Sequence, residues 1–298
     1  MRGSLRFRLH VATTSCRTDR ARVAFRSGLY ERYALNSPVL SSYRRLAGGC
    51  LGLRSFREPA SAAVQLFGVP YAGGQSLAFR WLVEQLPATW GVWAIDPPGH
   101  GWANGPALES VEEMASLYLE QIPPAILEGG VLFGHSLGGC VVFEMAHRLI
   151  QRGRPLRAMV LAGTRPPHRR DEYESFLSMD DRQLLEALIA IGGVPPQWAD
   201  EPEIFELFKD ALRADFRAFE SYEVTQPLDD RLPVLVVGGL NDAVCRPYHV
   251  YEWSQYCHNC RIEFVEGEHL FLQTHPQPLA QRMTDFVATL TRSNGDPE

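Results

Sequence analysis

From Ala62 onward the chain alternates between two patterns of hydrophobic and polar positions. Short apolar runs bounded by glycine and proline have the length of buried strands, and longer stretches between them carry apolar residues at helical spacing. The predicted strands are Ala63–Val69, Gly91–Ile95, Gly130–Phe133, Ala158–Leu161, Val234–Val237 and Arg261–Val265. The predicted helices are Ser76–Leu86, Ser110–Ile122, Leu137–Gln151, Tyr248–Tyr256 and Pro278–Thr291. This alternation indicates an α/β fold with a mostly parallel, doubly wound sheet.

One connection is much longer than the others. About seventy residues separate the strand that ends near Leu161 from the strand that starts at Val234, whereas a crossover normally needs far fewer. Two amphipathic helices are predicted inside it, Asp180–Ile191 and Glu203–Tyr222. We therefore expect an inserted helical lid over residues 165–230. Helices packed permanently as core are the alternative.

The first sixty residues have a different composition. Twelve arginines lie between Arg2 and Arg57, with Asp19 and Glu31 as the only acidic residues, and no regular hydrophobic period persists. We predict a poorly ordered extension over residues 1–60, produced by an upstream start codon or serving as an organelle-targeting segment. The folded domain is then expected at residues 61–292, followed by a short tail at 293–298.

Composition excludes several classes of protein. The chain has 298 residues, 45% of them apolar and 21% charged, with a formal charge of −6. No apolar run approaches the roughly 20 residues of a membrane-spanning helix, and no basic cluster is interleaved with aromatic residues as in nucleic-acid binders. The six cysteines are scattered, which fits a reducing, cytoplasmic location. Cys257 and Cys260 form a C-x-x-C pair without two further ligands, so neither a metal site nor a cofactor is expected.

The most informative motif surrounds Ser136. It reads Gly134-His135-Ser136-Leu137-Gly138, a G-x-S-x-G sequence between a predicted buried strand and a predicted helix. This is the setting of the nucleophile elbow of α/β-hydrolases, where a sharp turn exposes the serine and small flanking residues let the backbone approach closely. The motif predicts an α/β-hydrolase fold with Ser136 as the nucleophile.

A serine nucleophile needs a histidine base and an acid that orients it. His269 follows the last predicted strand, in a loop that would face Ser136, and is the preferred base among nine histidines. Asp242 follows the strand Val234–Val237 and a glycine turn, where the acid of this fold belongs. Each other histidine considered has a plain structural role on a helix or in a turn: His100, His135, His249, His258 and His275. The competing acids are Asp96, which more simply orders the turn after its strand, Glu266 and Glu268.

The oxyanion that forms during acyl transfer needs two backbone N–H donors. One comes from the residue after the nucleophile, which is Leu137. The other comes from the loop after an early strand, and the sequence Tyr71-Ala72-Gly73-Gly74 supplies it at Ala72. A simple glycine turn is the alternative for that loop.

Taken together, residues 62–290 resemble the type II (external) thioesterases that serve nonribosomal peptide and polyketide synthases. The matching blocks are Pro70-Tyr71-Ala72-Gly73-Gly74 with Phe79-Arg80, Pro97-Pro98-Gly99-His100-Gly101, Phe133 to Gly139, Ile191-Gly192-Gly193 with Pro195, Leu212-Arg213-Ala214-Asp215, Gly238 to Asp242, and Gly267 to Leu272. The chain departs from the family at Asn241, where many members have another acid, at Glu268, where a second glycine is usual, and over its first sixty residues.

The resemblance implies a catalytic triad of Ser136, Asp242 and His269, in agreement with the reading of the motifs. It also implies that the substrate is an acyl group on the phosphopantetheine thiol of a carrier protein, and that hydrolysis frees stalled or misprimed carriers of a synthase. The implied partners are acyl or peptidyl carrier proteins, and a monomer is expected. Neither a nucleic acid nor a membrane is an expected partner.

Two other functions fit the same residues. A medium-chain fatty acyl thioesterase or small-molecule esterase would use the same triad, because a triad alone does not select the ester. A non-catalytic binding protein on a hydrolase scaffold is the third hypothesis, against which the retained Ser136, Asp242 and His269 argue.

Overall fold

A single sheet organises the molecule. The computed structural model describes residues 42–46, 49–168, 175–200, 202–224 and 226–292. Within these residues the eight strands are β1 Ser42–Arg45, β2 Gly52–Arg57, β3 Val64–Val69, β4 Trp90–Asp96, β5 Val131–His135, β6 Ala158–Ala162, β7 Val234–Gly239 and β8 Cys260–Val265. Their order across the sheet is β1-β2-β4-β3-β5-β6-β7-β8. From β4 to β8 all neighbours are parallel, whereas β1 and β2 form an antiparallel edge. The predicted α/β fold class is confirmed, and all six predicted strands are present.

Helices cover both faces of this sheet. They are α1 Arg80–Gln85, α2 Val111–Gln121, α3 Pro124–Leu127, α4 Leu137–Gln151, α5 Asp181–Ala190, α6 Pro202–Ser221, α7 Pro247–Tyr251, α8 Phe271–Thr274 and α9 Pro276–Arg292, with short 3-10 helices at Ser76–Phe79, Pro196–Ala199 and Glu252–Gln255. Local capping sets some of these starts. The Ser110 side chain accepts the N–H of Glu113 at the start of α2, and Asp180 forms a capping box with Gln183 at the start of α5.

Alternation along each strand divides the core into two layers. Leu132 and Phe133 are adjacent in β5 and both fully buried, but they point to opposite faces. Leu132 belongs to a cluster with Val141 of α4, and Phe133 belongs to a cluster with Met283 of α9. This two-sided burial explains why the central strands are continuous apolar runs.

The predicted boundary at residue 60 is wrong for the part of the extension that the structure describes. Strand β2 is buried in the sheet beside β4, and Leu53 is 2% exposed. The sequence analysis missed this strand because its arginines interrupt the apolar run that a buried strand usually shows. Arg54 is buried, donates from Nε to Ser76 Oγ at 2.9 Å, and places its guanidinium over the ring of Tyr43. Residues 1–41 of the predicted extension and the predicted tail at 293–298 lie outside the described residues.

The long connection between β6 and β7 contains the two predicted helices, α5 and α6. They form a hydrophobic cluster of their own, in which Phe176 stacks on Phe216 with ring centroids 4.3 Å apart. Trp198 stacks on Phe208 in the same cluster, with centroids 5.1 Å apart. The expected role of this segment as a lid stays a prediction. None of the helices in the described part of the chain has the length and apolar character needed to cross a bilayer.

Candidate active site

Ser136 occupies a sharp turn between β5 and α4. Its backbone has φ 54° and ψ −119°, and it is the one non-glycine residue with a positive φ in the described part of the chain. Such a conformation is strained and persists where the surrounding structure fixes it. The flanking glycines permit the turn, because a Cβ on Gly134 would lie 2.2 Å from the carbonyl oxygen of Gly138, and one on Gly138 would lie 2.1 Å from that of Val69.

The predicted base and acid lie next to this serine. His269 Nε2 is 3.0 Å from Ser136 Oγ, and His269 Nδ1 is 2.9 Å from Asp242 Oδ2 and 3.1 Å from Oδ1. The histidine and aspartate side chains are 6% and 0% exposed. A carboxylate only accepts, so the proton is on Nδ1 and Nε2 is left to accept the serine O–H. The structure therefore brings together three residues that are far apart in sequence, in the order expected of a triad.

The carboxylate of Asp242 is held by its own loop. Its Oδ1 accepts the backbone N–H groups of Val244 and Cys245, both at 2.8 Å. Arg165, which is buried, donates from Nε to the carbonyl oxygen of Val244 at 3.0 Å. These bonds fix the direction in which Asp242 meets His269.

The competing acids lie elsewhere. Glu266 and Glu268 are exposed on the surface. Asp96 is buried and accepts the N–H of Ser76 at 2.7 Å and that of Trp102 at 3.4 Å, so it orders the turn after β4 as the sequence suggested.

Both predicted oxyanion donors line the small cavity at Ser136. Ala72 and Leu137 share with Ser136 and His269 the walls of a space of about 40 Å³. Among the described residues neither backbone N–H is taken by a protein acceptor. Leu137 stands at the first position of α4, where helix geometry leaves N–H groups without an intrahelical acceptor. Both donors are thus available to a bound carbonyl oxygen.

His135, the residue before Ser136, contacts the loop that carries His269. Its Nε2 lies 2.8 Å from the carbonyl oxygen of His269, and its ring packs edge-on against Phe271. Burial and the neighbouring His269 lower the pKa of His135 to about 3. The imidazole is therefore neutral at neutral pH, with the Nε2 proton donated to that carbonyl.

A second, larger cavity adjoins the first. Its volume is about 400 Å³, and it shares Tyr71, Ala72, Leu188 and Gly193 with the smaller one. Further lining residues include Gln75, Arg80, His100, Trp198, Phe208, Leu212 and Gln273. Burial lowers the pKa of Arg80, and its Nε is buried without a hydrogen-bond partner in the described structure. The cavity is therefore mostly apolar with one cationic side chain in its wall.

Two residues near the site were missed as functional candidates. Asp215, on α6, is buried against the loop that carries Ala72, and His100 lies beside it. A signal for Asp215 was present in the sequence, because Leu212, Asp215 and Phe219 follow one another at helical spacing. An acid on the apolar face of an amphipathic helix is expected to be buried with a partner.

The C-x-x-C pair, Cys257 and Cys260, lies within the described part of the chain. Within the residues that the structure describes, no group of three or more histidine, cysteine or acidic side chains could bind a metal ion. Cys257 is buried and Cys260 is half-buried, both as free thiols.

The mostly parallel sheet, with a serine elbow after β5 and a histidine after the last strand, defines the α/β-hydrolase class. A family model described as "Thioesterase domain" matches residues 64–287. The chain belongs to this family and is a thioesterase.

Individual relatives agree with the family. The chain is 29% identical to thioesterase PikA5 of Streptomyces venezuelae over 242 residues, which are 80% of this chain and 85% of that protein. It is 28% identical to the probable anguibactin biosynthesis thioesterase AngT of Vibrio anguillarum over 220 residues, covering 71% and 87% of the two chains. The solved RedJ thioesterase from the prodiginine pathway of Streptomyces coelicolor superposes with a TM-score of 0.67 at 28% identity, covering 77% of this chain and 92% of that one. The resemblance to type II thioesterases is confirmed.

Proposed function

We propose that this thioesterase hydrolyses acyl groups from the phosphopantetheine thiol of carrier proteins in a nonribosomal peptide or polyketide synthase. Its task there is to free carriers that hold stalled or misprimed groups. The observation that carries the proposal is the chain of contacts from Asp242 through His269 to Ser136, at 2.9 Å and 3.0 Å, on a strained elbow. The choice of substrate rests on solved relatives such as YbtT, a type II thioesterase from the yersiniabactin NRPS/PKS biosynthetic pathway.

The proposed reaction has two halves. In the first, His269 Nε2 takes the proton of Ser136 Oγ as the oxygen attacks the thioester carbonyl, and the backbone N–H groups of Ala72 and Leu137 stabilise the oxyanion. The tetrahedral intermediate collapses, the carbon–sulfur bond breaks, and the proton on His269 goes to the departing thiol. In the second half His269 takes a proton from water, which attacks the acyl-serine ester. The ester bond to Ser136 Oγ breaks, His269 returns the proton to that oxygen, and the carboxylic acid leaves.

Asp242 serves both halves of this cycle in the same way. Its carboxylate accepts a hydrogen bond from His269 Nδ1–H and stabilises the imidazolium that forms while Nε2 holds the transferred proton. Its own bonds to Val244 and Cys245 keep it in place without help from the substrate.

The larger cavity supports a carrier-borne substrate. A phosphopantetheine arm is a long chain with amide groups and a terminal phosphate, and about 400 Å³ next to the nucleophile gives it room. The walls offer the amides of Gln75 and Gln273 and the guanidinium of Arg80. An arginine is suited to phosphate because its N–H groups match the phosphate oxygens. We assign Arg80 to the phosphate of the arm.

The smaller cavity is suited to the acyl group. It is lined by the aromatic rings of Phe176, Phe216 and Phe219 from the inserted segment, beside Ser136. Its small volume, about 40 Å³, favours short acyl groups in the arrangement described. A monomer and a cytoplasmic location remain predictions of the sequence.

The test compares one acyl group on two leaving groups. Release of a short acyl group from a loaded phosphopantetheinyl carrier is measured beside hydrolysis of the same acyl group on a simple alcohol, for the wild type and for Ser136→Ala. Strong preference of the wild type for the carrier thioester, lost in the variant, is the expected result. Equal or better turnover of the free ester would favour a general esterase. Turnover of neither substrate, with carrier binding intact, would favour a non-catalytic scaffold.

A further inference from the structure

The carboxylate of Asp215 joins the inserted helix α6 to the loop that carries the oxyanion donor. Asp215 Oδ2 accepts the backbone N–H of Gly73 at 2.7 Å and lies 3.0 Å from His100 Nε2. The aspartate is 2% exposed and the histidine 5% exposed. Residues 73 and 215 are 142 positions apart in the chain, so this contact exists only because α6 is docked on the hydrolase core.

A buried carboxylate on the apolar face of a helix is costly unless it is hydrogen-bonded. Leu212 and Phe216, which flank it on α6, are both buried in the hydrophobic cluster of the inserted segment. Burial raises the pKa of Tyr118 well above 10, and the nearby charge of Asp215 adds to that increase. Packing alone would favour an apolar residue at position 215. The polar contacts of Asp215 with Gly73 and His100 therefore indicate the role of this side chain.

Two hydrogen bonds, one of them to Asp215, fix the backbone on both sides of Ala72. On one side, the carbonyl oxygen of Tyr71 accepts the N–H of Gly74 at 2.8 Å. The N–H and C=O of a trans peptide point in opposite directions, so this bond sets the direction of the Ala72 N–H. On the other side, the N–H of Gly73 is held by Asp215.

The loop also packs directly on α6. Gly73 has a φ of +74°, and a Cβ on it would lie 2.3 Å from Leu212 Cδ2. Leu212 and Asp215 are one turn apart on the helix, so both contacts belong to one face. The loop is thereby held to α6 by one hydrogen bond and one close apolar contact.

His100 completes the arrangement from a third element. Its Nδ1 lies 3.0 Å from the carbonyl oxygen of Pro98, within the turn after β4. That bond turns Nε2 toward Asp215 and fixes the imidazole against the carboxylate.

We propose that Asp215 is a positioning residue for the oxyanion hole: from helix α6 it holds the Gly73 peptide and so orients the Ala72 N–H toward the substrate carbonyl oxygen. This inference rests on the proposed function in one respect, the role of Ala72 as an oxyanion donor. It makes catalysis depend on the docking of the inserted helix, because movement of α6 away from the core breaks the Gly73 contact. Asp215 itself does not touch the reacting atoms.

Asp215→Leu tests the proposal, because leucine is close to aspartate in shape but has no oxygen to accept the Gly73 N–H. The expected result on a small acyl-pantetheine substrate is a loss of roughly 10- to 100-fold in kcat with KM changed less than about threefold, because an oxyanion contact stabilises the transition state rather than the bound substrate. Asp210→Leu is the matched control, at an exposed aspartate on the same helix, and should retain wild-type kinetics.

A second readout separates positioning from general damage. An acyl trifluoromethyl ketone adds to Ser136 and forms an oxyanion, whereas a pantetheine amide analogue binds without forming one. Asp215→Leu should weaken the ketone in parallel with kcat/KM and leave affinity for the amide unchanged. Equal weakening of both compounds, or unchanged kcat, would overturn the proposal.

A measurement on the wild type covers the case in which the variant does not fold. The Gly73 amide should exchange its hydrogen slowly, as a buried bonded N–H does, and rapid exchange would overturn the proposal. This readout needs no turnover. Failure of the proposed function, in which the wild type hydrolyses no thioester, is therefore distinguishable from failure of the Asp215 contact.

Discussion

The imidazole of His135 donates to the backbone of His269, with His135 Nε2 2.8 Å from the His269 carbonyl oxygen. The residue before the proposed nucleophile thus holds the residue proposed as its base. The same two rings lie 5.6 Å apart between centroids. The elbow therefore positions both partners of the serine–histidine contact, through a side chain that takes no part in proton transfer.

Replacing His135 tests this support. His135→Phe keeps a ring but removes the donor, and we expect kcat to fall roughly tenfold or more, because small displacements of catalytic groups are costly. His135→Gln keeps an N–H donor and should recover part of the loss. Steady-state kinetics on one acyl thioester measure both variants, and equal activity of His135→Phe and the wild type would contradict the assigned role.

The same histidine predicts a pH dependence of stability. The pKa of His135 is about 3 in the folded chain and near its ordinary 6.5 in the unfolded chain. Between these pH values the unfolded state binds a proton that the folded state does not, so acidification favours unfolding. The contribution of His135 is fully present above pH 6.5 and is lost as pH falls toward 3, by at most about 1.4 kcal/mol for each pH unit.

Urea unfolding at pH 7, 6, 5 and 4 measures this slope. The free energy of unfolding of wild type should decline more steeply with acidification than that of His135→Gln, which has no imidazole to protonate. Parallel curves for the two proteins would show that His135 does not carry the effect.

Close packing around the glycines of the elbow predicts that a larger residue at Gly138 is not tolerated. Gly138→Ala places a Cβ 2.1 Å from the Val69 carbonyl oxygen, a rigid backbone atom, so the turn must shift. We expect a loss of stability of about 3 kcal/mol or more and almost complete loss of activity, because overpacking and displacement of Ser136 act together.

Gly153→Ala is the matched control for this substitution. Gly153 has a φ of +67° but nothing within 4 Å of its added Cβ. It should cost only about 1 kcal/mol from the left-handed conformation and leave kcat unchanged. Thermal unfolding and kinetics of both variants test the comparison, and a Gly138→Ala protein as stable and active as Gly153→Ala would contradict it.

The assignment of Arg80 to the phosphate of the arm predicts that the effect of an Arg80 substitution on KM depends on whether the substrate carries that phosphate. If its guanidinium binds that phosphate, Arg80→Ala should raise KM for an acyl-phosphopantetheine by roughly tenfold, the size of one charge-assisted hydrogen bond, and change KM for the acyl-pantetheine little. The exposed Arg152 provides the control, since Arg152→Ala removes a positive charge from the surface. Equal effects of Arg80→Ala on both substrates would place the phosphate elsewhere.

Local sequence patterns predicted most of the fold and the position of Ser136. Buried strands can be recognised in the sequence as apolar runs, because both faces of a parallel sheet are covered. The ends of β5 and β7 were each predicted to within two residues. The elbow could also be predicted, because it depends only on neighbouring residues. It needs a strand before Ser136 and small residues at Gly134 and Gly138. His269 and Asp242 could be placed because each follows a predicted strand, and parallel strands end at the same edge.

Strand β2, which lies between β1 and β4 in the antiparallel part of the sheet, could not be predicted in this way. Its side chains Arg54 and Arg57 resemble those of an exposed segment, and only pairing with β4 and the contacts of Arg54 with Ser76 and Tyr43 make it part of the sheet. Burial of a long cationic side chain depends on partners that are distant in sequence, so composition misled the prediction.

The sequence by itself determined the α/β class, the elbow and the three residues proposed for catalysis, because each depends on periodicity or on position at a strand end. Only the tertiary structure decided that Asp215 and His100 meet at the loop that carries Ala72, and that Arg80 lines a cavity beside the proposed active site. The physical reason is that these relationships depend on how α6 docks on the core, which the packing of distant side chains determines and no local pattern encodes.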